Sequence, residues 1–225
     1  KVHTLRSYPR RGGKLWGALF LNLLDGVTVP TAIFAKKLWS VPATRINVVH
    51  SPINLKKFFP RDNKDKSTLK KRYGYQGKKV VLYYGAMTEN KGMPLLFQAI
   101  SQITSKRKEV LFLFLPRHPG IKPWIDLIQM LGLGNYARII TTDDPIEDYV
   151  TLADVVVLPY ANLWGTDGNP SCLLEALACG TPVVTTAFPE LKEIAEGAVE
   201  FANVDDVPGL AEKLQQTLEQ PDPRK

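Results

Sequence analysis

After residue 60 the apolar residues change period repeatedly and in a regular order. Residues 79–84 and 109–115 are short, nearly unbroken apolar runs, as expected of strands buried on both faces. Between them, after Gly92, residues 94–105 carry Leu95, Leu96, Ala99, Ile100 and Ile103 at helical spacing. The alternation continues with a helix over 121–133, a strand over 137–141, a helix over 145–152 and a strand over 154–158. A helix opening at Ser171, a strand over 182–185 and helices over 189–195 and 208–219 complete it. Helices crossing between short buried strands predict an α/β fold with a Rossmann-like, doubly wound parallel sheet. Ligands bind such sheets beyond the carboxyl ends of the strands, which gathers the loops 85–92, 116–120, 141–144 and 160–169 around one crevice. Residues 1–45 do not keep this rhythm: a strand near 2–5, a basic loop, an apolar helix near 15–24 and an apolar stretch over 27–33. They are expected to be the remnant of another domain, with 46–225 forming the main one. No internal repeat or low-complexity tract stands out.

Composition changes this picture little. The chain has 225 residues, of which 44% are hydrophobic, an ordinary value for a globular protein. It starts at Lys1 and ends just after a Pro-Asp-Pro breaker, so it reads as a piece of a longer protein. The net charge of +7, gathered at 1–14 and 56–79, suits an anionic ligand. The run Lys64, Lys66, Lys70, Lys71 and Arg72 lacks interleaved aromatics and reads as a solvated face, so nucleic acid is not expected as a partner. Cys172 and Cys179 lie seven apart on one predicted helix, roughly 10 Å along its axis, too far for a disulfide. With no histidine near them for a metal site, they fit a packing role in a reducing compartment. The apolar stretch at 15–24 is far short of the ~20 residues that span a bilayer and reads as a buried or interfacial helix.

The chemistry concentrates between Gly165 and Thr185, where a polar loop, a short helix, a glycine stop and a strand follow in order. Asn169 is read as the helix N-cap, Pro170 as its first residue and Gly180 as its stop. The amides near Ser171 would then offer a phosphate site, favoured by the helix dipole. Asp167 and Glu175 flank that point. Glu175 has only small neighbours at helical spacing, Ser171, Cys172, Ala178 and Cys179, so something can sit against it. A carboxylate repels phosphate, and Glu175 is therefore read as an acceptor for hydroxyls of a ribose or hexose. Lys91 and Asp167 would each be ordinary loop residues in isolation; register with the other loops raises Lys91 to a ligand candidate, and its spacing to Glu175 raises Asp167. His118, at a strand end facing the crevice, is read either as a loop residue or, together with Arg117, as a donor contact, and Trp164 as the cleft rim.

Taken together, residues 46–60, Tyr84-Gly85 with Lys91-Gly92, Ala153-Asp154 with Leu158-Pro159, and Asp167 with Glu175-Ala176 and Gly180-Thr181-Pro182-Val183-Val184 resemble the retaining nucleotide-sugar glycosyltransferases of family 4. The likeness runs over roughly 46–219. It implies the GT-B architecture, with this chain holding the donor-binding C-terminal domain and a remnant of the acceptor-binding one. It further implies a UDP- or GDP-sugar donor, no cofactor, no metal, a cytoplasmic location, and a lipid, glycan or small-molecule acceptor. A lipid acceptor would bring peripheral membrane association. Lys91 matches the family's diphosphate-binding lysine, Asp167 the first acid of its paired signature and Glu175 the second, the ribose contact. Asp167 and Lys91 would carry catalysis. Gly85, Lys91, Asp167, Gly168, Asn169, Ser171, Cys172, Leu173 and Glu175 would bind the donor. The chain departs from the pattern where Ala86 replaces an arginine, where Asp167 stands for glutamate, and where Arg6 replaces a sugar-contacting histidine. Ala86 and Arg6 motivate a second reading, a non-catalytic nucleotide-sugar binding or scaffold module. A nucleotide-sugar epimerase or hydrolase on the same fold is a third. The isolated piece is not expected to turn over.

Overall fold

The computed structural model describes residues 2–5, 21, 23–38, 41–117, 119–164 and 168–224. Two parallel sheets organise them. The smaller consists of β1 (Val2–Thr4), β2 (Gly26–Val29) and β3 (Ile46–Val48) in that order, so it carries past residue 45. Helix α1 (Ala32–Lys36) follows β2 and is capped by the Thr31 hydroxyl, which accepts from the Phe34 amide at 3.1 Å. The helix expected over 15–24 lies almost wholly outside the described residues.

The larger sheet has six strands, β4 (Lys79–Gly85), β5 (Val110–Pro116), β6 (Ala137–Ile139), β7 (Val155–Leu158), β8 (Val183–Thr186) and β9 (Glu200–Ala202). All pair in parallel, in the spatial order β6-β5-β4-β7-β8-β9. The chain order therefore reverses between β4 and β7, which is the switch point where doubly wound sheets open a ligand crevice. Side chains alternate between the faces. Val81, Tyr83, Phe112, Phe114, Val155 and Val157 meet α3 (Met93–Lys106), α4 (Lys122–Met130) and α8 (Val207–Glu219). Val80, Leu82, Tyr84, Leu111, Leu113 and Val156 meet α2 (Asn63–Arg72), α5 (Ile146–Leu152), α6 (Ser171–Ala178) and α7 (Pro189–Ala195). With both faces covered, β4 and β5 read as continuous apolar runs, which is why they are plain in the sequence.

Three expectations need correction. Pro170, not Asn169, is the N-cap of α6: its ψ of 129° is extended, and no side chain caps the helix. Asn169 is buried instead, and its carbonyl accepts from the Ser51 hydroxyl at 3.1 Å, which leaves it facing the interior rather than the first turn. The basic run is not wholly solvated either. Lys66 is 8% exposed and bonds Asp154 at 2.7 Å and Asp222 at 2.6 Å, while Lys70 also reaches Asp154. Finally, residues 63–72, left without an element by the sequence pattern, form α2, capped by Asp62 on the Asp65 amide at 2.8 Å.

The stop at Gly180 holds. Its φ is +67°, its amide bonds Leu177 O and the Thr181 amide bonds Ala176 O, the paired bonds of a Schellman motif. Beyond α8 the chain turns back, and buried Arg224 donates to the carbonyls of Thr151 and Ala153 and to Asp222, tying α2, α5 and the Gly180 turn together.

Candidate functional site

At the switch point, the loop leaving β4 meets the loop leaving β7. Gly85 ends β4 with φ +134°, and Gly92 closes the loop with φ +76°. Gly92 is pressed onto the carbonyl of Pro159, so a side chain there would collide. Asn90 then stitches the two loops: its carbonyl accepts from the Ala161 amide at 3.1 Å and its side chain donates to Trp164 O at 2.8 Å. From below, the Trp124 indole on α4 donates to Met87 O at 2.9 Å. Lys91 is thereby fixed over the crevice, with its ammonium 5.0 Å from the centre of the Tyr160 ring.

Helix α6 starts opposite. The amides of Ser171 and Cys172, first in the helix, have no intrahelical acceptor by geometry and carry the positive end of the dipole. The end of β4 locks this turn in place: the Tyr84 hydroxyl donates to Cys172 O at 2.7 Å, and the Cys172 thiol donates to Tyr84 O at 3.3 Å. A Cβ at Gly85 would lie 4.0 Å from Cys172 Sγ. Burial pushes the Cys172 thiol up to about 11, against the downward pull of Arg117 and Lys91. Both cations are thus felt at the first turn of α6. Leu173, fully buried, anchors the helix in the core.

One turn on, Glu175 has a side chain only 12% exposed. Burial pushes its carboxyl above the usual carboxylate range, with Arg117 and Tyr84 pulling it back. Its Oε2 has no hydrogen-bond partner and lies 3.5 Å from Arg117 Nη2. Such an oxygen is an acceptor awaiting a donor. Beside it a cleft of about 180 Å³ is lined by Tyr84, Pro116, Arg117, Thr141, Thr142 and Asp144. Larger hollows of about 460 and 600 Å³ lie at the other end of the sheet around Gly180, away from Lys91 and Glu175. The topology favours the small cleft as the ligand site over those wider ones.

Gly85, Ser171, Cys172 and Glu175 therefore come together at the strand ends, with Lys91 in the loop after β4, while Leu173 turns into the core rather than the crevice. Gly168 and Asn169, expected to contact the donor, are both buried instead, and a Cβ added at Gly168 would lie 3.4 Å from Pro30 and 3.6 Å from Phe34, which follow β2 of the smaller sheet. There the Glu193 carboxylate on α7 caps α1, accepting from the Ala32 amide at 2.6 Å and the Ile33 amide at 2.8 Å. Asp167, Arg6 and His118 lie outside the described residues. Trp164 is 56% exposed on the rim. Sequence reasoning weighed Arg117 only as a donor contact alongside His118; the fold sets it against Glu175, a relation no local pattern announces. Among the described residues no helix is long and apolar enough to cross a membrane.

Comparison with known proteins places this arrangement. A family model described as glycosyl transferases group 1 matches residues 78–220, well over half the chain. A D-inositol 3-phosphate glycosyltransferase of Thermobispora bispora is 26% identical over 209 residues, covering 87% of this chain and 47% of that protein. Spore coat protein SA of Bacillus subtilis is 24% identical over 196 residues, covering 78% of this chain and 50% of that protein. Among solved structures, Anabaena HepE in complex with UDP-glucose superposes with a TM-score of 0.84 at 17% identity, over 97% of this chain and 62% of that one. The sucrose-phosphate synthase of Thermosynechococcus elongatus gives a TM-score of 0.81 at 21% identity, over 98% and 59%. The fold is of the GT-B type. The chain spans about half the length of these two curated relatives.

Proposed function

The chain belongs to the group 1 glycosyl transferases, and from that premise we propose that it binds a UDP- or GDP-linked sugar as donor. As part of the whole protein it would transfer that sugar, with retained anomeric configuration, to a lipid, glycan or small-molecule acceptor. One observation supports this reading: the first turn of α6, bonded to Tyr84 at the end of β4, and half-buried Glu175 one turn on stand at the β4/β7 switch point, with Lys91 in the loop after β4. The diphosphate sits on the amides of Ser171 and Cys172 with Lys91 as a point charge. Glu175 accepts from the ribose hydroxyls, and the base enters the cleft by Thr141 and Asp144. The sugar then meets the loop that leads into α6, with Asp167 accepting its hydroxyls.

In the transfer step the bond between the anomeric carbon and the diphosphate breaks and charge builds on the departing phosphate oxygen. Lys91 and the helix amides are aimed at that charge and stabilise it, so the reading assigns no metal and no cofactor. The UDP- and UDP-glucose-bound neighbours favour a uridine donor over a guanosine one. The place of work is the cytoplasm, at the membrane face if the acceptor is a lipid. Calorimetric titration of the chain with UDP, GDP and UDP-glucose tests the reading. Binding of one nucleotide at sub-millimolar affinity supports it, and no binding of any at millimolar concentration defeats it. Turnover by the whole protein separates an enzyme from a non-catalytic module; the chain alone is expected to bind without turnover.

A further inference from the structure

Resting on that reading, we infer that Arg117 is a second donor-binding cation of the crevice, taking a phosphate oxygen of the nucleoside diphosphate from the loop after β5, as Lys91 does from the loop after β4.

The placement starts with the backbone. In the parallel register Gly85 faces Pro116, so the next residue, Arg117, leaves β5 beside the end of β4. The Arg117 amide donates to Gly85 O at 3.2 Å and ties the two loops together at the mouth of the crevice. Lys91 lies in the β4–α3 loop and Arg117 at the start of the β5–α4 loop, so the two cations leave neighbouring strands on either side of Gly85 and Pro116. A nucleoside diphosphate carries more negative charge than one ammonium neutralises, and residue 86, next to Gly85, is a neutral alanine. A guanidinium adds a planar fork that grips two oxygens at once, which an ammonium does not.

The present partner of Arg117 leaves it ready to move. Among the described residues its ion-pair partner is Glu175, and the 3.5 Å separation exceeds the 2.7–3.2 Å of a formed N–H···O bond. The Arg117 side chain is 49% exposed, so this contact is solvent-screened and weak. Shifting toward phosphate would exchange a loose contact for a charge-assisted one. It would also release Glu175 Oε2 to accept a hydroxyl.

A double-mutant cycle with UDP tests this. The 225-residue chain, R117A, E175Q and the double variant are titrated with UDP by calorimetry, with thermal melts confirming that each folds. R117A is expected to weaken UDP about tenfold or more, R117K to recover part of the loss, and the losses in R117A and E175Q to multiply in the double variant. UDP affinity unchanged in R117A overturns the inference. So does a double variant no weaker than E175Q alone, because Arg117 would then act only by positioning Glu175. Failure of the unsubstituted chain to bind UDP or GDP at all would instead bring down the donor reading on which the inference rests.

Discussion

A Cβ added to Gly92 would stand 1.6 Å from the carbonyl oxygen of Pro159, so the loop that presents Lys91 and the loop that leads to α6 touch backbone to backbone. The same glycine has φ +76°, a left-handed conformation that alanine resists. Gly92→Ala is therefore expected to cost about 3 kcal/mol or more, from strain and collision together. Urea unfolding checks the loss, and nucleotide titration of the surviving folded fraction checks that Lys91 has been displaced. An alanine variant as stable as the parent would show that the two loops are not in this contact.

Glu175 places a function in conflict with stability. Burial raises its carboxyl above the ordinary value, so near neutral pH the folded state bears the cost of keeping it charged. Glu175→Gln removes that cost and should raise Tm by about 2–4 °C. The same change should weaken UDP by about 1–3 kcal/mol, since the ribose hydroxyls lose a charged acceptor. A lower Tm with unchanged UDP affinity would mean that Glu175 is a structural residue.

The buried charges under α2 set the acid limit of the fold. Burial would raise Asp154, but Lys66 and Lys70 outweigh it and hold its carboxyl below the ordinary value. Burial likewise opposes the lowering of Asp222, which Arg224 and Lys66 hold well below that value. Depressed folded-state values mean that this stability is complete above the unfolded pKa near 3.8 and is lost as pH falls through the folded ones. Thermal melts should show Tm holding down to about pH 5 and falling steeply below about pH 4. Asp154→Ala, which takes the ion-pair partner of Lys70 and leaves buried Lys66 with Asp222 alone among the described residues, is expected to cost about 3–5 kcal/mol at pH 7. Its deficit relative to the parent should shrink toward low pH.

How much of this the sequence displays depends on where the burial signal lies. Helix α7 spans Pro189–Ala195 as its pattern predicts, and β4 and β5 match within a residue or two, because each has a continuous apolar stripe or run. Helix α2 buries only Lys66 and Leu69 and is fastened by Asp154 and Asp222, far along the chain, so no local period announces it. Strand β9 has three residues at a sheet edge, too few for alternation to register. Around the crevice, helix-start chemistry locates Ser171 at the opening of α6, the strand pattern locates Lys91 in the loop after β4, and the small neighbours of Glu175 announce its low exposure. Asn169 was misassigned because a good capping residue gives no sign that Ser51, 118 positions away, will draw its carbonyl inward.

Both thiols should be silent in the native protein. Burial pushes Cys172 and Cys179 each up to about 11, so almost no thiolate exists near neutrality. A disulfide-exchange reagent at pH 7.5 is expected to label neither over minutes in buffer and both in denaturant. Rapid labelling of Cys172 in the native chain would show that the first turn of α6 is open rather than locked to Tyr84.

The central claim, one pyrophosphate gripped between Lys91 and the opening of α6, is read most directly by amide chemical shifts during a UDP titration. The amides of Ser171, Cys172 and Gly85 are expected to move together with one dissociation constant, below about 1 mM, and Lys91→Ala to weaken it about tenfold or more. Shifts confined to the hollows around Gly180, or saturation unaffected by Lys91→Ala, would contradict it.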